Sequence, residues 1–114
     1  MSEFTHLFRG AEQSGSPEQE QQHMQKWGTW INDLRAKGYV KELGRPLERS
    51  GKVVRGRAKT ITDGPYAESK DIVGGFLIVQ TADLAQAVEL SLGCPIFERG
   101  GMVEVRPVME MSLP

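Results

Sequence analysis

The chain opens on alternation: Phe4, His6 and Phe8 interleave with Thr5, Leu7 and Arg9, which predicts a β-strand over Glu3 to Arg9 with one aromatic face. Gly10 to Gly15 is polar and predicts a loop. Ser16-Pro17-Glu18-Gln19 then supplies an N-cap serine, a proline at the first helical position and a glutamine where a capping box needs it. Met24, Trp27, Ile31 and Leu34 recur at helical spacing, so an amphipathic helix runs to about Lys37 and Gly38 ends it. Tyr39 to Glu48 predicts a weaker strand interrupted at Gly44-Arg45-Pro46, and Leu47 to Lys59 a hairpin arm that turns at Arg49-Ser50-Gly51-Lys52. Asp63-Gly64-Pro65-Tyr66 is a further turn signal. Ile72 to Gln80 predicts a buried strand in which Gly74-Gly75 marks a bulge or the close approach of another backbone. Thr81 or Asp83 caps a second helix whose Leu84, Val88 and Leu92 share a face, and Gly93 closes it. Met102 to Met109 alternates again and predicts a half-exposed last strand.

In order these elements are strand, helix, strand, arm, strand, helix, strand. The expected fold class is α+β: a ferredoxin-like βαββαβ domain over residues 1–114, with an antiparallel four-stranded sheet, two helices on one face and an inserted hairpin arm. No element is left to cover the other sheet face, which predicts a homodimer that buries it.

Composition narrows the partners. The 114 residues carry 14 Lys+Arg against 15 Asp+Glu, a formal net charge of −1, which argues against direct nucleic-acid binding. A single cysteine, Cys94, closes no intrachain disulfide and builds no zinc site, pointing to a reducing, cytoplasmic setting. No signal-peptide pattern is visible, and the longest apolar run, Phe76-Leu77-Ile78-Val79, is far short of the ~20 residues that span a bilayer. No dinucleotide fingerprint, phosphate loop or His-Glu-x-x-His pair occurs, so neither a cofactor nor a metal is expected. The basic residues Arg49, Lys52, Arg55, Arg57 and Lys59 concentrate in the arm, either as solvated surface or as an anion-facing patch.

The string Thr62-Asp63-Gly64-Pro65-Tyr66-Ala67-Glu68-Ser69-Lys70-Asp71 resembles the YCII-related family, in the branch named for its Asp-Gly-Pro-Phe (DGPF) motif, with Tyr66 in the phenylalanine position. Trp27-Gly28-Thr29-Trp30, Gly74-Gly75-Phe76, Cys94-Pro95 and Val105-Arg106-Pro107-Val108 extend the resemblance along most of the chain. It implies a dimeric α/β barrel, an association with extracytoplasmic-function sigma factors, and relatives linked to lactone or dehalogenation chemistry on small ring compounds. It also implies a histidine–aspartate active-site pair. Asp63 matches the aspartate; the histidine register falls on Trp27, and His23 lies one turn earlier on the same helical face.

Two readings stand for each candidate. Asp63 is either turn chemistry or a general base, and His23 is either a solvated helix residue or a proton carrier near neutrality. His6, Tyr66, Trp27 and Trp30 are either packing residues or substrate contacts, and Cys94 has no base beside it in sequence. The functional expectation is a metal-independent small-molecule enzyme or binding protein using a pocket in the dimer. The alternative is a non-catalytic ligand-binding or protein-interaction module linked to sigma-factor-dependent transcription.

Overall fold

The computed structural model describes residues 1–11, 15–68 and 71–111; part of the Gly10–Gly15 loop and the Ser69-Lys70 step of the motif lie outside the described residues. The strands are β1 (Ser2–Arg9), β2 (Val40–Leu43), β3 (Gly51–Arg55), β4 (Thr60–Gly64), β5 (Val73–Thr81) and β6 (Met102–Pro107). The helices are α1 (Pro17–Ala36) and α2 (Leu84–Ser91), followed by a 3-10 turn at Pro95–Arg99. The four-stranded sheet runs β2-β5-β1-β6 with every neighbour antiparallel, and β3 and β4 form a separate two-stranded hairpin. This is the ferredoxin-like order expected from the alternation of elements.

β1 is the centre of the fold because its aromatic face points under the helices: Phe4, His6 and Phe8 are buried there. Leu77 and Val79 of β5, Trp30 and Leu34 of α1, Ala87 of α2 and Ile96 complete the core. α1 begins with the full capping box, in which the Ser16 hydroxyl accepts from the Gln19 amide and the Gln19 side chain accepts from the Ser16 amide. Gly38 follows its C-terminus at φ +81°, a conformation glycine adopts at no steric cost.

The glycine pair of β5 marks a close approach, as its position in a strand suggested. The backbone of Gly44 to Leu47 lies against it: the Leu47 amide donates to Gly74 O at 2.8 Å, and a Cβ on Gly75 would sit 3.3 Å from Arg45 O. Gly44 is tighter still, because a Cβ there would come within 2.2 Å of Phe76 O.

The structure corrects several local expectations. β2 stops at Leu43, so Gly44 to Glu48 is no strand; it is the segment pinned against β5. The hairpin turns at Gly56 to Lys59 and not at Arg49 to Lys52, because Gly56 and Lys59 take the positive φ values. Asp63-Gly64 consequently ends β4 instead of forming the turn. On α2, Leu84, Val88 and Leu92 do share a face, but it faces solvent, while Ala87 and Ser91 are buried against the sheet. Small residues let the helix come close enough for His6 Nε2 to reach Ala87 O at 2.8 Å. Asp83, not Thr81, caps this helix by accepting from the Gln86 amide.

The molecule is flat, 49 × 46 × 20 Å, the thinnest dimension matching one sheet and one helical layer. Among the described residues no element covers the sheet face that carries Leu7, Phe76 and Ile78, beside an Arg9–Glu104 ion pair of 2.9 Å. The β3–β4 hairpin packs almost wholly on itself.

Candidate functional site

The Gly44–Arg49 segment leaves a gap between itself and α1. A cavity of about 310 Å³ lies there, floored by Phe8, Trp27, Ile31, Leu77 and Ile96. That volume is at the lower end of the range for small-molecule pockets, about 300–1,000 Å³, and apolar walls with few polar groups are their usual composition. The polar groups here are His23 and Glu20 from α1, Arg45 and Arg49 from the pinned segment, and Arg99 from the 3-10 turn.

Helical spacing sets the central pair. His23 and Trp27 are four residues apart on α1, and Trp27 Nε1–H donates to His23 Nε2 at 3.0 Å. An indole nitrogen only donates, so Nε2 is the acceptor and the proton of the neutral imidazole resides on Nδ1. Nδ1 lies 3.9 Å from Glu98 Oε2, and Glu98 in turn accepts from Lys26 Nζ at 3.1 Å. The Trp27 ring is held edge-on to Phe8, with centroids 4.9 Å apart. Only 11% of the His23 side chain is exposed. Burial, then the nearby positive charge of Arg99, holds His23 below the usual imidazole range, with Lys26 acting in the same direction and Glu98 and Glu20 opposing. His23 is thus a neutral ring at pH 7 with a defined tautomer. Arg99 is itself neutralised by Glu20, its Nη1 donating to Oε1 at 2.6 Å.

The other candidates lie elsewhere. His6 does not line the cavity; it is completely buried, donates through Nε2 to Ala87 O, stacks on Trp30 at 6.2 Å, and leaves Nδ1 without a partner. Burial pushes its pKa down. Asp63 sits on the hairpin, 86% exposed and ion-paired with Lys52. Tyr66 is also outside the cavity lining, exposed beneath the Arg55 guanidinium at 5.1 Å. Within one chain, then, Asp63 and Tyr66 share no cavity with His23. Cys94 is buried and its thiol is pushed up to about 12 by desolvation, so it is not a thiolate near neutrality.

The sequence marks Arg49 as part of the basic arm and Arg45 as part of an interrupted strand without placing either beside His23, and it does not mark Glu20, Glu98 or Arg99. Arg99 meets Glu20 across most of the chain, and no local pattern announces such a pair. The interruption at Gly44-Arg45-Pro46 was the one usable signal, since a broken strand beside a glycine-rich one leaves side chains free to line a cleft. Among the described residues, no group of three or more His, Cys, Asp or Glu side chains is arranged to hold a metal ion, and no helix is long and apolar enough to cross a membrane.

Among solved structures, 5-chloro-2-hydroxyhydroquinone dehydrochlorinase (TftG) from Burkholderia phenoliruptrix AC1100, in complex with 2,5-dihydroxybenzoquinone, is similar at 18% identity over 91% of each chain, with a TM-score of 0.46. No curated protein matches the sequence. The family model for the YCII-related domain matches residues 4–112, and with the βαββαβ order and the sequence motifs already described, the chain belongs to the YCII-related family.

Proposed function

We propose that the chain binds a small organic molecule in the cavity beside α1 and acts on it by acid–base chemistry through His23. The Trp27–His23 hydrogen bond carries this reading. A structural histidine on a helix surface needs no fixed tautomer, whereas a proton-exchanging one at a cavity wall benefits from a ring held neutral and oriented. Trp27 orients the ring and walls the pocket; its N–H occupies Nε2 in the free chain, so His23 takes up a proton only when a ligand draws the indole away, and Glu98 on the Nδ1 side then stabilises the positive ring. The test is an NMR screen of ring-containing fragments against isotope-labelled protein. Fragments that shift the Trp27 indole and His23 ring signals together support the site; a screen that leaves both unmoved overturns it.

The working form is proposed to be a homodimer. Leu7, Phe76 and Ile78 form an apolar strip that one chain leaves open, and an isolated two-stranded hairpin is marginal in water unless something packs on it. A second copy supplies both covers. It would also give Asp63, the matched motif aspartate, a route to a site that its own chain does not offer it.

A second reading rests on the exposure of Lys52, Arg55, Arg57 and Lys59 on the hairpin. In it the DGPF-type arm docks an acidic partner protein, such as one linked to sigma-factor-dependent transcription, in the cytoplasm. Pull-downs with the native arm and with its basic residues changed to alanine separate the readings, because equal recovery of partners removes the docking role.

A further inference from the structure

The charges around the cavity are unbalanced in one direction. Among the described residues its acidic lining is Glu20 alone, and Glu20 is already engaged by Arg99 at 2.6 Å. Arg45 and Arg49 also line it, and among the described residues neither is ion-paired. Arg49 is tethered at the rim, its Nη2 donating to Ala11 O at 3.3 Å. Arg45 is held there by its backbone, which lies on Gly75 and is locked by the Leu47–Gly74 hydrogen bond. Both residues are solvent-exposed, so they border the cavity from its open side, on a segment whose backbone is fixed against β5, and their planar forks match a carboxylate.

We infer that the ligand of this cavity is a small organic anion, a carboxylate on an apolar body, whose ring or alkyl part lies on Phe8, Trp27 and Ile96 while its charged end faces Arg45 and Arg49. The inference rests on the small-molecule reading of the same cavity. It assigns Arg45 and Arg49 to binding and leaves proton exchange to His23. It also accounts for the burial of Arg99 with a carboxylate: its charge is satisfied within the protein, so the anchoring charge comes from the Gly44–Arg49 segment.

The probes are benzoate and its neutral counterpart benzamide, titrated against the full chain with NMR shifts of the Trp27 indole as readout. The expected result is benzoate binding tighter than benzamide by about tenfold, the scale of one charge-assisted contact. The preference should shrink in 0.5 M salt. In the Arg45→Gln/Arg49→Gln double variant benzoate affinity should fall by about tenfold and benzamide affinity stay within about twofold. Equal binding of the two probes, or an unchanged preference in the double variant, overturns the anion inference and leaves the cavity as a neutral small-molecule site. Binding of neither probe overturns the inference and counts against the small-molecule reading as well. Arg45 and Arg49 are exposed and outside the core, so the double variant should fold; an unchanged amide spectrum away from the cavity verifies it.

Discussion

The indole N–H of Trp27 donates a 3.0 Å hydrogen bond to Nε2 of His23 one helical turn earlier. The position where the family resemblance places a histidine is thus occupied by a residue that orients the neighbouring one. Protonating Nε2 sets two donors against each other, so this contact adds to burial and to the Arg99 charge in keeping the ring neutral.

Changing that environment should move the titration of His23 upward. Arg99→Gln removes a nearby cation and frees the Glu20 carboxylate, and both effects favour the protonated ring. Trp27→Phe keeps an aromatic wall and removes the donor, again favouring protonation. NMR titration of the His23 ring should give a higher pKa in each variant than in the parent protein; a value unchanged in both refutes the account of the site.

Much of the fold is legible locally, and the reason differs from element to element. The Phe4-His6-Phe8 alternation identifies the central strand because one sheet face is buried, and the Ser16–Gln19 capping box is a contact between residues three apart. Arg49-Ser50-Gly51-Lys52 and Gly56-Arg57-Ala58-Lys59 have nearly the same turn chemistry, so composition alone does not say where the hairpin reverses. The Leu84-Val88-Leu92 stripe misleads because the close approach of α2 to the sheet requires small residues, which Ala87 and Ser91 supply. The cavity itself is least legible: His23 and Trp27 are adjacent on one helix, but Arg99 and the Gly44–Arg49 segment reach them only through tertiary packing.

The buried His6 predicts an acid-sensitive fold. His6 is fully buried with its pKa held below the ordinary 6.5, so between the folded and unfolded values the unfolded chain binds the extra proton. Stability from the neutral ring is complete above pH 6.5 and is lost as pH falls from there toward the folded value, at up to about 1.4 kcal/mol per pH unit for one histidine. Urea unfolding from pH 7.5 to 5 should show this decline. His6→Gln, which keeps a donor near Ala87 O and does not titrate, should flatten it, and an equal slope in the variant contradicts the assignment.

Two glycines should respond in opposite directions to the same change. Gly28→Ala in mid-α1 meets nothing within 4 Å and should stabilise the protein by about 0.5–1 kcal/mol through helix propensity. Gly44→Ala drives a Cβ to 2.2 Å from Phe76 O and should cost about 1–3 kcal/mol while displacing Arg45 and Arg49 from the cavity. Thermal and urea denaturation check both signs.

Asp63 tests whether the hairpin belongs to the site or stands apart from it. Its pair with Lys52 is solvent-exposed, and such pairs contribute about 0–1 kcal/mol, so Lys52→Ala and Asp63→Asn should each leave stability nearly unchanged. Once a substrate is in hand, a tenfold or greater loss of turnover in Asp63→Asn, with stability intact, marks a chemical role that one chain's own geometry does not provide. Activity retained in both variants assigns the arm to interaction and leaves His23 to act without it.

The two exposed apolar patches make competing claims on a partner, and oligomeric state separates them. Leu7, Phe76 and Ile78 lie on a sheet face that is central and continuous across β1 and β5, which suits a two-fold interface of like with like. Leu84, Val88 and Leu92 form a narrow stripe on a short helix. Light scattering on the parent protein should give twice the 12.7 kDa chain mass at micromolar concentration. Phe76→Asp should shift it to monomer, because a carboxylate buried without a partner costs more than the apolar contact it replaces. Leu92→Glu should leave the dimer intact. A dimer that survives Phe76→Asp and dissociates with Leu92→Glu moves the interface to α2 and leaves the sheet face for another occupant, while a monomeric parent protein removes the homodimer altogether and with it the route by which Asp63 reaches a cavity.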